Sequence, residues 1–190
     1  TSVLVWANLE GGTGAISSQM KSFKPSEATT WWYLPYDQLN LDLLPSHDSI
    51  GIILIESEKQ AKRRPYHKQK LCYILSNMRH FAIETVRKGI PVVYASTNEQ
   101  YDEPLRALAQ EFGSINMFRA AERELRLTLS ELIEDESIIE HPHPGWLTPQ
   151  DWFTETVGNE PPFRMDRFYR RVRKEKGWLM EGDSPVGGKF

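Results

Sequence analysis

The sequence predicts an α/β protein: a doubly wound, mainly parallel five-stranded sheet followed by a C-terminal basic helix. Three observations carry this. Short apolar or aromatic runs recur from Trp31 onward, separated by segments of helical period. One run, Gly51-Ile52-Ile53-Leu54-Ile55, is apolar without alternation, as in a parallel strand covered on both faces. The third is a segment, Phe163 to Lys176, in which seven basic residues meet two acidic ones.

The elements follow in order. Val3-Leu4-Val5-Trp6 has the composition of a short strand. Gly11-Gly12-Thr13-Gly14-Ala15 lacks the lysine and hydroxyl ending of a phosphate loop and reads as a surface loop. Residues 1–30 also lack the basic start and apolar core of a secretory signal. The first strand of the regular alternation is Trp31-Trp32-Tyr33-Leu34, and the second is Gly51 to Ile55. A long helix follows Pro65, with Leu71, Ile74, Leu75, Met78, Ala82 and Val86 at three- and four-residue steps. Gly89 stands where that helix ends. Pro91 to Ala95 is the third strand, Pro104 to Phe112 a helix stopped by Gly113, and Ile115 to Phe118 the fourth strand. A helix from about Glu122 to Glu134 buries Leu125, Leu129, Leu132 and Ile133, and Ser137-Ile138-Ile139 is the fifth strand. Thr148-Pro149-Gln150-Asp151 reads as a helix start, with a capping hydroxyl and proline at the first position. The basic segment forms the last helix.

Composition bounds the function. The chain has 190 residues, 39% hydrophobic and 26% charged, at a net −3. That suits a soluble globular protein of one domain or one domain with an appendage. Cys72 is the single cysteine, which excludes an intrachain disulfide and a cysteine-rich metal site and suits a reducing, cytoplasmic setting. No apolar run reaches the roughly 20 residues of a membrane-spanning helix. The net charge conceals an asymmetry. Residues 163–176 carry +5, so the other 176 residues carry −8. Such a run reads as a solvated face, or as a helix docked on an acidic body.

In a doubly wound sheet a ligand lies outside the carboxyl ends of the strands. That rule singles out Tyr36 to Leu39, Glu56-Ser57-Glu58, Ser96-Thr97-Asn98 and Arg119 to Glu122. No dinucleotide glycine fingerprint occurs there. His141-Pro142-His143 reads as a rigid connector rather than a metal site. His67 and His80 flank the polar face of the long helix, and Cys72 reads as a small core or near-core residue. Neither a nucleophile elbow nor a hydrolase-like carboxylate pair stands out. The residues alone stop at a ligand-binding α/β domain with a basic helical appendage.

Four segments then resemble one family: Leu34 to Leu39; Tyr66 to Leu71 with Met78-Arg79-His80-Phe81-Ala82; Phe163 to Arg170; and Gly177 to Phe190. Their order and spacing are similar to the amino-terminal part of the deoxyribodipyrimidine photolyase-related proteins, the iron–sulfur photolyases and cryptochromes. The resemblance covers about residues 31–190. It implies a Rossmann-like antenna domain over residues 31–160, with residues 1–30 an extension of uncertain structure. Residues 161–190 would be a basic helix and linker towards a helical domain absent from this chain. The cofactor implied is an antenna of the ribityl-lumazine type. Flavin adenine dinucleotide and an iron–sulfur cluster are implied only for the missing domain, as is contact with DNA, and no membrane partner is implied. The implied antenna contacts are Tyr36, Asp37, Gln38 and Glu56, with Lys68 and Leu71 on the following helix; Tyr36 stands where glycine is common. No catalytic or metal-ligating residue is implied in this chain, which is either an excised domain or a naturally short relative.

Alternatives remain for the same residues. Asp37 and Gln38 also read as turn chemistry, and Glu56 as an ion-pair partner of Arg63 or Arg64. Two further functions are a stand-alone α/β ligand- or partner-binding module without catalysis, and an enzyme acting on a small nucleotide-like substrate.

Overall fold

The alternating side chains of a strand face opposite ways, so a strand apolar at every position needs cover on both sides. In a computed structural model, which describes residues 4–8, 28, 30–45 and 49–188, that cover is present. The glycine cluster Gly11 to Ala15, His47 and the final Lys189-Phe190 lie outside the described residues.

The sheet contains β1 (Leu4–Asn8), β2 (Thr30–Tyr33), β3 (Ile50–Ser57), β4 (Val92–Thr97), β5 (Ile115–Phe118) and β6 (Ile138–His141). All neighbours are parallel, in the order β1-β4-β3-β2-β5-β6. The five strands expected after residue 30 are therefore all present, and β1 adds a sixth at the edge, pairing from Leu4↔Val92 to Asn8↔Ser96. Chain order reverses between β2 and β5, which is the switch point.

The helices of this sheet are α1 (Glu58–Lys62), α2 (Lys68–Arg87), α3 (Asp102–Phe112), α4 (Arg123–Thr128) and α5 (Ser130–Glu134). Trp32, Leu34, Ile52, Leu54, Val92 and Tyr94 form one buried cluster with Met78 and Ala82 of α2. Trp31, Tyr33, Ile53, Ile55, Val93 and Ala95 form the other with leucines of α3, α4 and α5. Gly51 is required by close approach: a Cβ there would lie 2.5 Å from the Trp31 ring. Gly89, at φ 90°, takes the left-handed turn that releases the chain from α2.

Three local expectations are corrected. The single helix expected over 122–134 is two, broken at Leu129, although Leu125, Leu129 and Leu132 are buried as expected. Beside the break, the Thr128 and Ser130 hydroxyls donate to the Glu124 and Leu127 carbonyls, side-chain bonds that commonly bend a helix. Cys72 is exposed, not near the core. It follows Leu71 by one position, which turns it about 100° from the apolar stripe. Pro149 is the cap residue of its helix rather than the first helical one, and no side chain caps that end among the described residues.

Residues 1–143 and 144–190 form two compact units. The second contains α6 (Gln150–Val157), α7 (Met165–Lys176) and a small hairpin of β7 (Met180–Glu181) and β8 (Ser184–Pro185). α6 and α7 meet through Phe153, whose ring is 5.7 Å from Phe163 and 5.3 Å from Phe168. Arg171 donates to the Trp152 carbonyl, to Thr156 Oγ1 and to Glu155, and lies 5.2 Å from the Trp152 ring centre. Arg173 donates to the carbonyls of Trp178 and Leu179, and Lys174 pairs with Asp183 at 2.7 Å. None of the residues of α7 is buried. Much of its basic charge is spent inside its own unit.

Candidate functional site

The carboxyl ends of β2 and β3 open into a cleft beside the switch point, with a cavity volume of about 60 Å³. Each wall has a different origin. Tyr36 comes from the turn after β2, where Gln38 N–H closes on the Pro35 carbonyl at 2.9 Å. Tyr66 comes from the α1–α2 connection, and Tyr101 immediately precedes α3. The floor is the apolar stripe of α2, including Leu71, Ile74 and Met78. The polar lining is Glu56 and Ser57 at the end of β3, Gln60, Lys70 of α2 and Glu122 before α4.

Glu56 is the most constrained of these groups. Its side chain is only 11% exposed. Arg79 approaches in a fork, Nε to Oε1 at 2.7 Å and Nη2 to Oε2 at 2.9 Å. The Tyr94 hydroxyl donates to the same Oε1. The hydrogen bonds to Glu56 hold the Arg79 guanidinium above its ordinary pKa. Burial, then the charge of Glu56, raises the Tyr94 phenol. Burial followed by the negative charge of Glu122 raises both Tyr36 and Tyr101. The Tyr36 and Tyr101 phenols are thus neutral hydroxyls. Lys70 Nζ sits 5.1 Å from the centre of the Tyr66 ring.

Of the residues singled out in the sequence, Tyr36, Glu56 and Leu71 line this cleft together; Asp37, Gln38 and Lys68 do not line it. Asp37 is exposed in the turn, where desolvation raises its carboxyl pKa against the lowering pull of its own amide and of His143. Gln38 is buried and donates Nε2–H to the Arg119 carbonyl at 3.0 Å, tying the turn after β2 to the segment after β5 across the switch point. Its Oε1 has no hydrogen-bond partner among the described residues. Lys68 begins α2 and is exposed. The ion pairs expected between Glu56 and Arg63 or Arg64 are corrected. Both arginines reach Glu124 instead, at 3.9 and 2.9 Å, because they lie on the α1–α2 connection facing α4. Arg79, deep in α2, is the one aimed at β3.

Gln60, Tyr66, Lys70 and Tyr101 are cleft residues that sequence reasoning missed. Glu122 belongs to the segment Arg119 to Glu122 that the switch-point rule named. Among the described residues no group of three or more histidine, cysteine or acidic side chains gathers as a metal site. His141 Nε2 lies 2.8 Å from Asn116 Oδ1, and His143 packs edge-on against Phe118. His67 caps α2, its Nδ1 accepting from the Gln69 amide. No helix among the described residues is long and apolar enough to cross a membrane.

Chemically, the cleft presents flat aromatic walls, an apolar floor and a fixed carboxylate. That set suits a planar heterocycle carrying hydrogen-bond donors.

Comparison with known proteins places this geometry in a family. A family model described as deoxyribodipyrimidine photo-lyase-related protein matches residues 33–190. A (6-4) photolyase of Agrobacterium fabrum (strain C58 / ATCC 33970) is 26% identical over 163 residues, covering 73% of this chain and 29% of the photolyase. The chain therefore spans less than a third of that relative's length. The "Uncharacterized protein R852" of Acanthamoeba polyphaga mimivirus is 24% identical over 167 residues, covering 83% of each. The match over residues 33–190 runs from the end of β2 through both compact units, and the chain belongs to the deoxyribodipyrimidine photolyase-related protein family.

Proposed function

We propose that this chain is the antenna domain of a photolyase- or cryptochrome-like flavoprotein, and that its cleft holds a ribityl-lumazine-type chromophore. The observation that carries the reading is the tyrosine-walled cleft at the switch point of a family member's sheet. Tyr36, Tyr66 and Tyr101 would flank the ring, and Glu56 would accept a hydrogen bond from a ribityl hydroxyl. Lys70 would donate to a ring carbonyl. A cavity of about 60 Å³ is smaller than the few hundred Å³ a ligand of this size fills. Binding therefore requires side chains lining the cleft to move apart. Bound there, the chromophore would absorb blue light and pass its excitation to a flavin.

In a complete protein of the photolyase's length, the flavin, an iron–sulfur cluster and the DNA contacts would belong to a helical domain joined through the second unit. Light-driven repair of DNA lesions or blue-light signalling would be the activity of that whole protein, in the cytoplasm. No residue of this chain is assigned a catalytic role. The mimivirus relative, matched over most of both lengths, favours a second reading, a stand-alone binding module without chromophore.

Fluorescence titration of the purified chain with a ribityl-lumazine decides between them. Binding in the low micromolar range, about −8 kcal/mol, is expected. No binding at tens of micromolar, about −6 kcal/mol or weaker, sinks the antenna reading.

A further inference from the structure

We propose that Arg79 is a positioning residue, which orients Glu56 so that one carboxylate oxygen is reserved for a hydroxyl donor of the ligand. This rests on the antenna reading and goes beyond it, because Arg79 does not line the cleft.

The argument is a count of acceptor sites. Each carboxylate oxygen offers about two lone-pair directions. Oε1 of Glu56 already accepts from Arg79 Nε and from the Tyr94 hydroxyl, so it is saturated. Oε2 accepts from Arg79 Nη2, which leaves it one direction. The side chain borders the cleft through a small exposed fraction. What Glu56 can offer a ligand is therefore one acceptor, in a plane set by the guanidinium fork.

The fork matters as much as the charge. A guanidinium fixes both carboxylate oxygens, whereas an ammonium is a single point that leaves the carboxylate free to rotate. Tyr94, on β4, holds the same Oε1 from a second element, so two elements agree on one orientation. A purely structural ion pair is the competing explanation, and even fully buried pairs are weak evidence for stability, whereas this one is half-exposed on the Arg79 side. The two explanations differ in what they do to ligand choice. An oriented acceptor rewards a ligand that brings a hydroxyl; a structural strut rewards no ligand over another.

The test uses two ligands, a ribityl-lumazine and the same ring with a methyl group in place of the ribityl chain. Dissociation constants come from fluorescence titration, with circular dichroism recorded for every variant. Wild type is expected to prefer the ribityl ligand by about tenfold or more, the value of a hydrogen bond to a charged group. Arg79→Lys and Arg79→Met are expected to lose that preference while binding the methyl ligand within about threefold of wild type. Tyr94→Phe, which removes only the second donor, should reduce the preference about two- to threefold. An unchanged preference in the Arg79 variants overturns the proposal. So does an equal loss of both ligands, which marks a structural strut. Failure of wild type to bind either ligand sinks the antenna reading itself and this inference with it.

Discussion

The two compact units hold together by different physics. The sheet unit buries two apolar clusters, one on each face, and apart from Glu56–Arg79 its ion pairs sit at the rim. The second unit buries none of α7 and exposes Trp146, Leu147, Met165, Tyr169 and Leu179. Its order comes from arginines that bond carbonyls and carboxylates, and from rings that contact one another. Their charges differ too. Residues 1–143 hold 15 basic against 19 acidic side chains, −4; residues 144–190 hold 8 against 7, +1. The basic helix that dominates the sequence is almost neutralised within its own unit. A charge run seen in one dimension is therefore a poor measure of the field a folded surface presents.

The largest break in this comparison should come from the sheet unit's interior. Leu105 is fully buried, and Leu105→Ala is expected to cost about 2–5 kcal/mol, read from denaturant unfolding of the sheet unit. Gly51→Ala should follow at about 1–3 kcal/mol, because Trp31 must move to admit a methyl group. Near-ultraviolet circular dichroism of the indole would report that displacement. In the second unit, Arg171→Ala removes three hydrogen bonds and a ring contact from a side chain 27% exposed. A loss of about 1–2 kcal/mol is expected, visible as faster amide exchange in α6 and α7 while β3 and β4 stay protected. A uniform change across both units would contradict the contrast.

The smallest effect should be one of pH. Hydrogen bonds from Arg164 and Lys174 hold the Asp166 and Asp183 carboxyls below their ordinary pKa. A depressed folded-state pKa stabilises the fold above the ordinary carboxylate range, and that contribution is lost as pH falls through the depressed values. Acidification below about pH 4 should therefore loosen α7 and the hairpin slightly. Both carboxylates are exposed, so added salt should mask most of the difference.

Most of the sheet was legible in the sequence, and much of the cleft was not. Continuous apolar strands and the stripe of α2 announce themselves within ten to twenty residues, because local period dictates them. Breaks that rest on side-chain bonds to carbonyls, as at Leu129, do not change that period. Cleft membership is a long-range property. Tyr66, Tyr101 and Glu122 come from three separate connections, after β3, β4 and β5, and Glu122 joins the others from across the reversal of strand order between β2 and β5. The partner of Glu56 is decided by the phase of a helix 23 residues away, which is why two nearer arginines looked equally suitable.

The placement of tryptophan has an optical consequence. Trp31 and Trp32 are 2% and 4% exposed within the sheet, whereas Trp146 and Trp178 are 63% and 46% exposed in the second unit. A soluble quencher such as iodide would reach the second pair and spare the first. Trp31 and Trp32 also sit on the strand that leads directly to Tyr36. Indole emission overlaps the near-ultraviolet absorption of lumazine rings, so under the proposed function the quencher-resistant fraction of the protein's own light would serve as a built-in donor, dimming on titration with a ribityl-lumazine.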